Sequence, residues 1–428
     1  MIQYELIPLA QPVTATIEIP GSKSYTNRAL IMAALTKGPV SILNPLFSDD
    51  TEALIECLQL LGIQIEVTSS SIVVQGDISQ VIDREYELFA RDSGTTMRFL
   101  LALLCVTPGT QILKGSKRLQ ERPISDLVDG LRQLGADIEY LEQDGAPPLR
   151  ICSSNLNPGT TRLKGDISSQ FFSALLLIAP VIGAVTIEVK GEQISKPYIE
   201  MTIDSMRQWG IQVRNRYFER YEVPPNQQYS QTSYTVEGDF SSAGYFLAAA
   251  ARTGSTITLT NLNPSSKQAD RKLLDTLEKL GSTVQRQAQS ITITGAPIPN
   301  IDIDMEDFPD QVQTMAVLAA FAPGKTIIRG VRSLRVKETE RVLALQHELK
   351  KMGINTSATH DVLTITGGKP QGAEIDTYND HRMAMSFAIA GLTLPGMRIN
   401  NPHVVQKTFP DFWDKLQQLG AHINKKEL

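Results

Sequence analysis

The chain has 428 residues, 42% of them hydrophobic and 20% charged, and its 41 Lys and Arg against 46 Asp and Glu leave a formal net charge of −5. That length supports two or three domains with sizeable cores and excludes disorder and fibres. The acidic balance excludes a general nucleic-acid or anionic-membrane binder, so an anionic ligand must meet a local basic patch.

The opening MIQYELIPLAQPVTATIEIPGSK alternates like a strand and lacks the basic and apolar regions of a signal peptide. No run of eighteen apolar residues follows anywhere, and Cys57, Cys105 and Cys152 match neither a zinc pattern nor a disulfide framework. A soluble protein of the reducing cytoplasm is expected.

Next comes SKSYTNRALIMAAL, a nearly all-apolar helix with a polar start, followed by ALIECLQLLGIQI, an amphipathic helix that stops at Gly62, and the strand SIVVQGD. The same order returns as SGTTMRFLLALL with DLVDGLRQLGADI (Gly135), then as SSQFFSALLLIA, the strand TIEVKG, and MTIDSMRQWGIQV (Gly210). A polar, loop-like stretch, RNRYFERYEVPPNQQYSQTS, precedes the strand YTVEGD at the midpoint. Beyond it lie SSAGYFLAAAA, ITLTNL, LLDTLEKLGSTV (Gly281) and SITITG; PDQVQTMAVLAA, LALQHELKKMGINT (Gly353) and VLTITG; and finally NDHRMAMSFAIA with FWDKLQQLGAHI (Gly420).

The glycines recur about every 70 residues, so the chain reads as six copies of one unit of two helices and several strands. Helices buried all round need neighbours on every side, and two groups of three is the simplest division, with a domain change near Val236 to Asp239. The apolar helices open on Ser, Thr, Asp or Asn, which cap helix starts, and helix starts attract phosphates and carboxylates. Several openings carry more charge than capping needs: Lys23 and Arg28, Asp92 and Arg98, Asp310, and Asp380, His381 and Arg382. Further cations stand in KRLQERPI (Lys117, Arg118, Arg122), LRVKETER (Arg335, Lys337, Arg341) and VVQKTFPDF (Lys407). Taken alone, a solvated helix face would explain LRVKETER.

GSKSYTNRAL, SGTTMR, ERPISDL, GDISSQF, SKPYIE, FPDQVQTMA, RVKETER, YNDHRMAM and KTFPDF occur in this order. Together they resemble the motif set of the enolpyruvylshikimate-phosphate synthases, almost end to end. The resemblance implies an α/β fold of two inside-out barrel domains, each of three βαβαββ-type units. One domain would combine residues 1–20 with 238–428 and the other would span 21–237, with the active site between them. It implies transfer of the enolpyruvyl group of phosphoenolpyruvate to the 5-hydroxyl of shikimate 3-phosphate, with release of phosphate and no cofactor or metal.

By the same resemblance Lys23, Ser24, Arg28, Ser168, Ser169, Ser195 and Tyr198 would hold shikimate 3-phosphate, and Asp310 and Lys337 would meet its ring hydroxyls. Gln170 would lie between the substrates, and Lys23, Gly94, Arg122, Arg341, Arg382 and Lys407 would hold phosphoenolpyruvate. Lys23, Asp310 and Glu338 would share the acid–base work; the alternative for Glu338 is a partner of Arg341 or Arg335. His381 either supports Arg382 or caps a helix. The physics agrees with a cation-rich site, since a unit charge pair at about 4 Å and an effective dielectric near 20 is worth roughly 4 kcal/mol before desolvation.

Asp92, Phe99 and Ser333 depart from the family pattern, and Asp92 would repel an anion, cap its helix or pair with an arginine. Two other readings stand beside this one. A nucleotide-sugar enolpyruvyl transferase would carry a loop cysteine where this chain has Lys117, and a non-catalytic relative would bind anionic metabolites without turnover. A monomer is expected, with small-molecule substrates, no nucleic acid and no membrane partner.

Overall fold

Each amphipathic helix ends where the chain must turn through left-handed backbone space, which a Cβ disfavours. All six glycines adopt it, with φ of +94° at Gly62, +100° at Gly135, +86° at Gly210, +113° at Gly281, +76° at Gly353 and +105° at Gly420. The structure is a computed structural model and describes residues 2–152 and 156–427.

The strands of the described residues form six four-stranded sheets that share one pairing rule. The sheet of Gly159–Lys164 shows it: this strand runs parallel to Val185–Lys190, which pairs antiparallel with Arg220–Val223, which in turn pairs antiparallel with Arg214–Arg216. The segment 214–233, read from its polarity as loop-like, therefore supplies two strands. Its alternation is hidden by arginines on the outward face, while Tyr221 is fully buried and Tyr217 and Phe218 form the turn at positive φ.

Three sheets are completed by distant chain. Ser233–Thr235 runs parallel to Val40–Leu43, and Thr14–Glu18 runs parallel to Thr256–Thr260. Ile2–Ile7 lies antiparallel between Met397–Asn400 and His422–Glu427. It fills the place that Val362–Gly367 holds between Gly324–Arg329 and Asn355–Ala358 in the preceding sheet.

The chain separates into two units, one continuous (Gly21–Val236) and one split (Met1–Pro20 with Glu237–Leu428). Each holds three of the sheets and three apolar helices that pack on one another. In the continuous unit these are Lys23–Ala34, Gly94–Leu104 and Ser169–Ile182, and in the split unit Phe240–Thr253, Val312–Ala320 and His381–Gly391. Apart from the exposed Val181 and a few half-buried residues at the helix ends, their side chains are buried all round, as the absence of a polar face requires. No helix among the described residues is long and apolar enough to cross a membrane.

Candidate functional site

Four of the six apolar helices are capped by the side chain at their opening. Ser93 accepts from the Thr96 amide, Ser168 from Gln170, Asp239 from Ser242 and Asp380 from Arg382. The other two depart from the expectation: Ser22 makes no side-chain cap, and the Val312 helix is entered through a 3-10 turn, Pro309–Gln311, without one. Asp380 supplies the cap of the His381 helix, and His381 itself is buried with Nδ1 3.6 Å from Asp380 Oδ1.

In the continuous unit the openings meet at one end of the three-helix bundle. Arg28, 3% exposed, donates from Nε to Thr202 Oγ1 (2.8 Å), from Nη1 to the Ser24 carbonyl (3.0 Å), and from Nη2 to Ser173 Oγ and the Tyr198 carbonyl (both 3.3 Å). Its guanidinium also stands 5.3 Å from the Phe99 ring centroid, so a residue that departs from the family pattern is a cation–π partner. Every one of these contacts is neutral, and burial lowers the Arg28 pKa to about 10. Lys23 instead pairs with the buried Asp50 at 3.0 Å.

Arg98 donates from Nη1 to Gln170 Oε1 (2.7 Å), and Gln170 Nε2 donates to Thr95 Oγ1 (3.2 Å). A Cβ on Gly94 would stand 2.7 Å from Arg98 Nη1 and 2.8 Å from Arg122 Nη1, so the missing side chain leaves room for two guanidiniums. Ser169 and Ser195 are buried, and Ser195 is left-handed at φ +52°. Asp92 is exposed and accepts from the Ser116 hydroxyl, while its neighbour Ser93 does the capping. Arg118 lies outside this group as a surface ion pair with Glu121 at 2.8 Å, and Lys117 is exposed.

The split unit gathers carboxylates around two buried arginines. Arg341, 1% exposed, reaches Asp380 Oδ2 at 2.7 Å, Glu338 Oε2 at 2.9 Å and Asp310 Oδ1 at 3.2 Å. LRVKETER is thus no solvated helix face: the helix begins at Arg341 and turns it inward. Burial is the largest single influence on Arg341 and opposes its charge, yet the three carboxylates together raise its pKa above the ordinary arginine value. Arg382 reaches Asp310 Oδ2 at 2.8 Å and the Tyr245 hydroxyl at 3.2 Å. Arg335 pairs with Glu340 instead. Lys337 and Ser333 are half-buried, and Lys407 is buried at the end of the Pro402–Lys407 turn.

The left-handed pair Tyr378 and Asn379 (φ +51° and +56°) sets the approach to Asp380. Tyr378 donates to Glu348 Oε1 at 2.7 Å, which anchors that approach to the Arg341 helix. Sequence patterning does not single out Asp50, Thr202, Ser173, Tyr245 or Glu348. Their only signal is polarity at positions that helical periodicity turns inward.

A family model described as EPSP synthase (3-phosphoshikimate 1-carboxyvinyltransferase) matches residues 8–416. The chain is 44% identical over 429 residues to a 3-phosphoshikimate 1-carboxyvinyltransferase of Shewanella sp. (strain ANA-3), covering 98% of this chain and 100% of that protein. It is 43% identical over 426 residues to the protein of that name from Shewanella sediminis (strain HAW-EB3), again covering 98% and 100%. Among solved structures, an EPSP synthase from Acinetobacter baumannii superposes with a TM-score of 0.84 at 25% identity, covering 100% of both chains.

Proposed function

The chain belongs to the EPSP synthase (3-phosphoshikimate 1-carboxyvinyltransferase) family, and from that premise we propose that it transfers the enolpyruvyl group of phosphoenolpyruvate to the 5-hydroxyl of shikimate 3-phosphate. The observation that carries this reading is Arg28, a buried cation with four neutral hydrogen-bond acceptors and an aromatic face around it. A buried charge without a counter-charge is costly, and an incoming phosphate supplies the missing partner. Around it Lys23, Ser24, Ser168, Ser169, Ser195 and Tyr198 are assigned to shikimate 3-phosphate. Arg122, Arg341, Arg382 and Lys407 are assigned to phosphoenolpyruvate, with Gly94 leaving space and Gln170 serving both substrates.

The chemistry is addition followed by elimination. The methylene carbon of phosphoenolpyruvate takes a proton while the acceptor hydroxyl loses one and attacks the adjacent carbon. The tetrahedral product then sheds phosphate as the methyl group returns a proton. Two proton carriers are needed, and Asp310, Glu338 and Lys23 are proposed for them, Asp310 and Lys337 also meeting the ring hydroxyls. Asp310 and Glu338 share the buried Arg341, so one arginine couples both carboxylates to the charge of a bound anion. We assign the enzyme to the cytoplasm as a monomer. The nucleotide-sugar alternative is not favoured by the family match.

The test is phosphate release by the purified protein with both substrates, beside a nucleotide-sugar acceptor and a Glu338→Ala variant. Release that requires shikimate 3-phosphate and falls at least about a hundredfold in the variant supports the reading. No release with shikimate 3-phosphate overturns it.

A further inference from the structure

Asp270 is a carboxyl that the assigned mechanism does not use, yet it is buried in the split unit with only 3% exposure. It sits in the short turn Ala269–Arg271, and that turn is tied to the start of the Phe240–Thr253 helix. The Ser241 hydroxyl hydrogen-bonds to Asp270 Oδ2, Gln268 Oε1 accepts from the Phe240 amide at 3.0 Å, and Gln268 Nε2 donates to the Gly238 carbonyl at 2.7 Å. The same helix start is joined to the Asp310 segment, since Gln311 Nε2 donates to the Ser241 carbonyl at 3.3 Å. One turn further on, Tyr245 accepts from Arg382 Nη1, and Arg382 holds Asp310. Asp270, Asp310 and Arg382 are therefore three ionisable groups held on one scaffold.

The Ser241 hydroxyl is hydrogen-bonded to Asp270, and the charges that act on it through space are the carboxylates of Asp310 and Asp239 and the Arg382 guanidinium. The cations of its own stretch are engaged elsewhere, Arg271 with Asp275 at 3.3 Å and Lys272 with Asp307 at 2.5 Å. We propose that Asp270 is a positioning residue for Asp310 and Arg382: while it holds a proton, the Arg382 charge is available to phosphoenolpyruvate, and once ionised it competes for that charge. The proposal rests on the roles given above to Arg382 and Asp310. Burial first, and then the neighbouring Asp310 carboxylate, push Asp270 up to about 7, against the opposite pull of Arg382 and Ser241. The competition thus sets in across neutral pH.

The experiment is the pH dependence of KM for phosphoenolpyruvate and of kcat, from about pH 6 to about pH 9, in the wild-type protein, Asp270→Asn and Ser241→Ala. In the wild type, KM for phosphoenolpyruvate is expected to rise roughly three- to tenfold through neutral pH, with a smaller change in kcat. Asp270→Asn keeps the neutral form at every pH, so the rise disappears and the variant's advantage grows from low to high pH. Ser241→Ala removes a hydrogen bond that favours the ionised form, so the break moves to higher pH. A break common to all three proteins belongs to the phosphate of the substrate and overturns the proposal. A uniform loss in Asp270→Asn at every pH, with the break unmoved, assigns Asp270 to folding alone and also overturns it.

If Asp270→Asn does not fold, the position of the break in Ser241→Ala decides. If the wild type shows no turnover, the transfer reading fails by itself. Carboxyl carbon-13 resonances of the wild type and the Asn variant then show whether Asp270 titrates near neutrality, and a resonance that titrates as an ordinary aspartate sinks the proposal.

Discussion

Replacing Arg28 by methionine separates a residue that holds the fold from one that holds a ligand. The side chain donates four hydrogen bonds, to Thr202, Ser24, Ser173 and Tyr198, each worth about 1 kcal/mol net. Against this, burial lowers its pKa to about 10, so folding disfavours the charged form by about 3 kcal/mol. Because the folded pKa lies below the unfolded one, this penalty is present at neutral pH and lifts as pH rises through about 10. Methionine keeps the hydrophobic stem, removes both contributions, and should change urea stability by no more than about 2 kcal/mol. The affinity for shikimate 3-phosphate should collapse. A phosphate at about 4 Å gains roughly 4 kcal/mol from the guanidinium at an effective dielectric of 20, and even partial loss weakens binding about a hundredfold or more. Calorimetric titration and urea denaturation on the same preparation give the two numbers. A variant destabilised by more than about 3 kcal/mol that binds shikimate 3-phosphate within about threefold of wild type would refute the reasoning.

Gly94→Ala would bring a methyl group to 2.7 Å from Arg98 Nη1 and 2.8 Å from Arg122 Nη1. Both are flexible ends, so stability should fall by less than about 1 kcal/mol. KM for phosphoenolpyruvate should rise about tenfold in steady-state assays as the guanidiniums move. Phe99→Leu removes the ring 5.3 Å from Arg28, and with it about 0.5–1 kcal/mol of cation–π attraction; calorimetry should show shikimate 3-phosphate bound roughly two- to fivefold more weakly. Arg341→Met leaves Asp380, which is fully buried, without its 2.7 Å partner. Chemical denaturation at pH 7 should show a loss of about 3–5 kcal/mol. That deficit should shrink as pH falls and the stranded carboxylates protonate.

Much of the fold was legible because its signals are local. A glycine after an amphipathic helix answers a backbone demand, and Gly62 to Gly420 meet it one by one. The all-apolar helices are equally plain, since a helix without a polar face has nowhere to go but inside. Partnership between distant segments was not legible. Arg341 and Asp380 are 39 residues apart in different repeats, and nothing in LRVKETER or YNDHRMAM says that they meet. The hairpin at 214–223 was hidden for another reason, because strands with arginines on the outward face look like loops when charge is counted without its alternation. Phe99 read as an anomaly and is an aromatic face for Arg28, since an odd residue is explained only by the neighbour it meets. Asp270 carried no motif at all.

The placement of Ile2–Ile7 between Met397–Asn400 and His422–Glu427 bears on how the chain is made. A ribosome delivers this strand well before its two partners, so this sheet stays unfinished until His422–Glu427 has emerged, whereas residues 21–236 need none of the chain that follows them. The register puts Ile2 opposite Glu427, so these two residues are neighbours. Joining them with a short linker and reopening the chain before Gly21 would give a circular permutant in which both units are contiguous and emerge one after the other, turning a late, long-range closure into a short-range one.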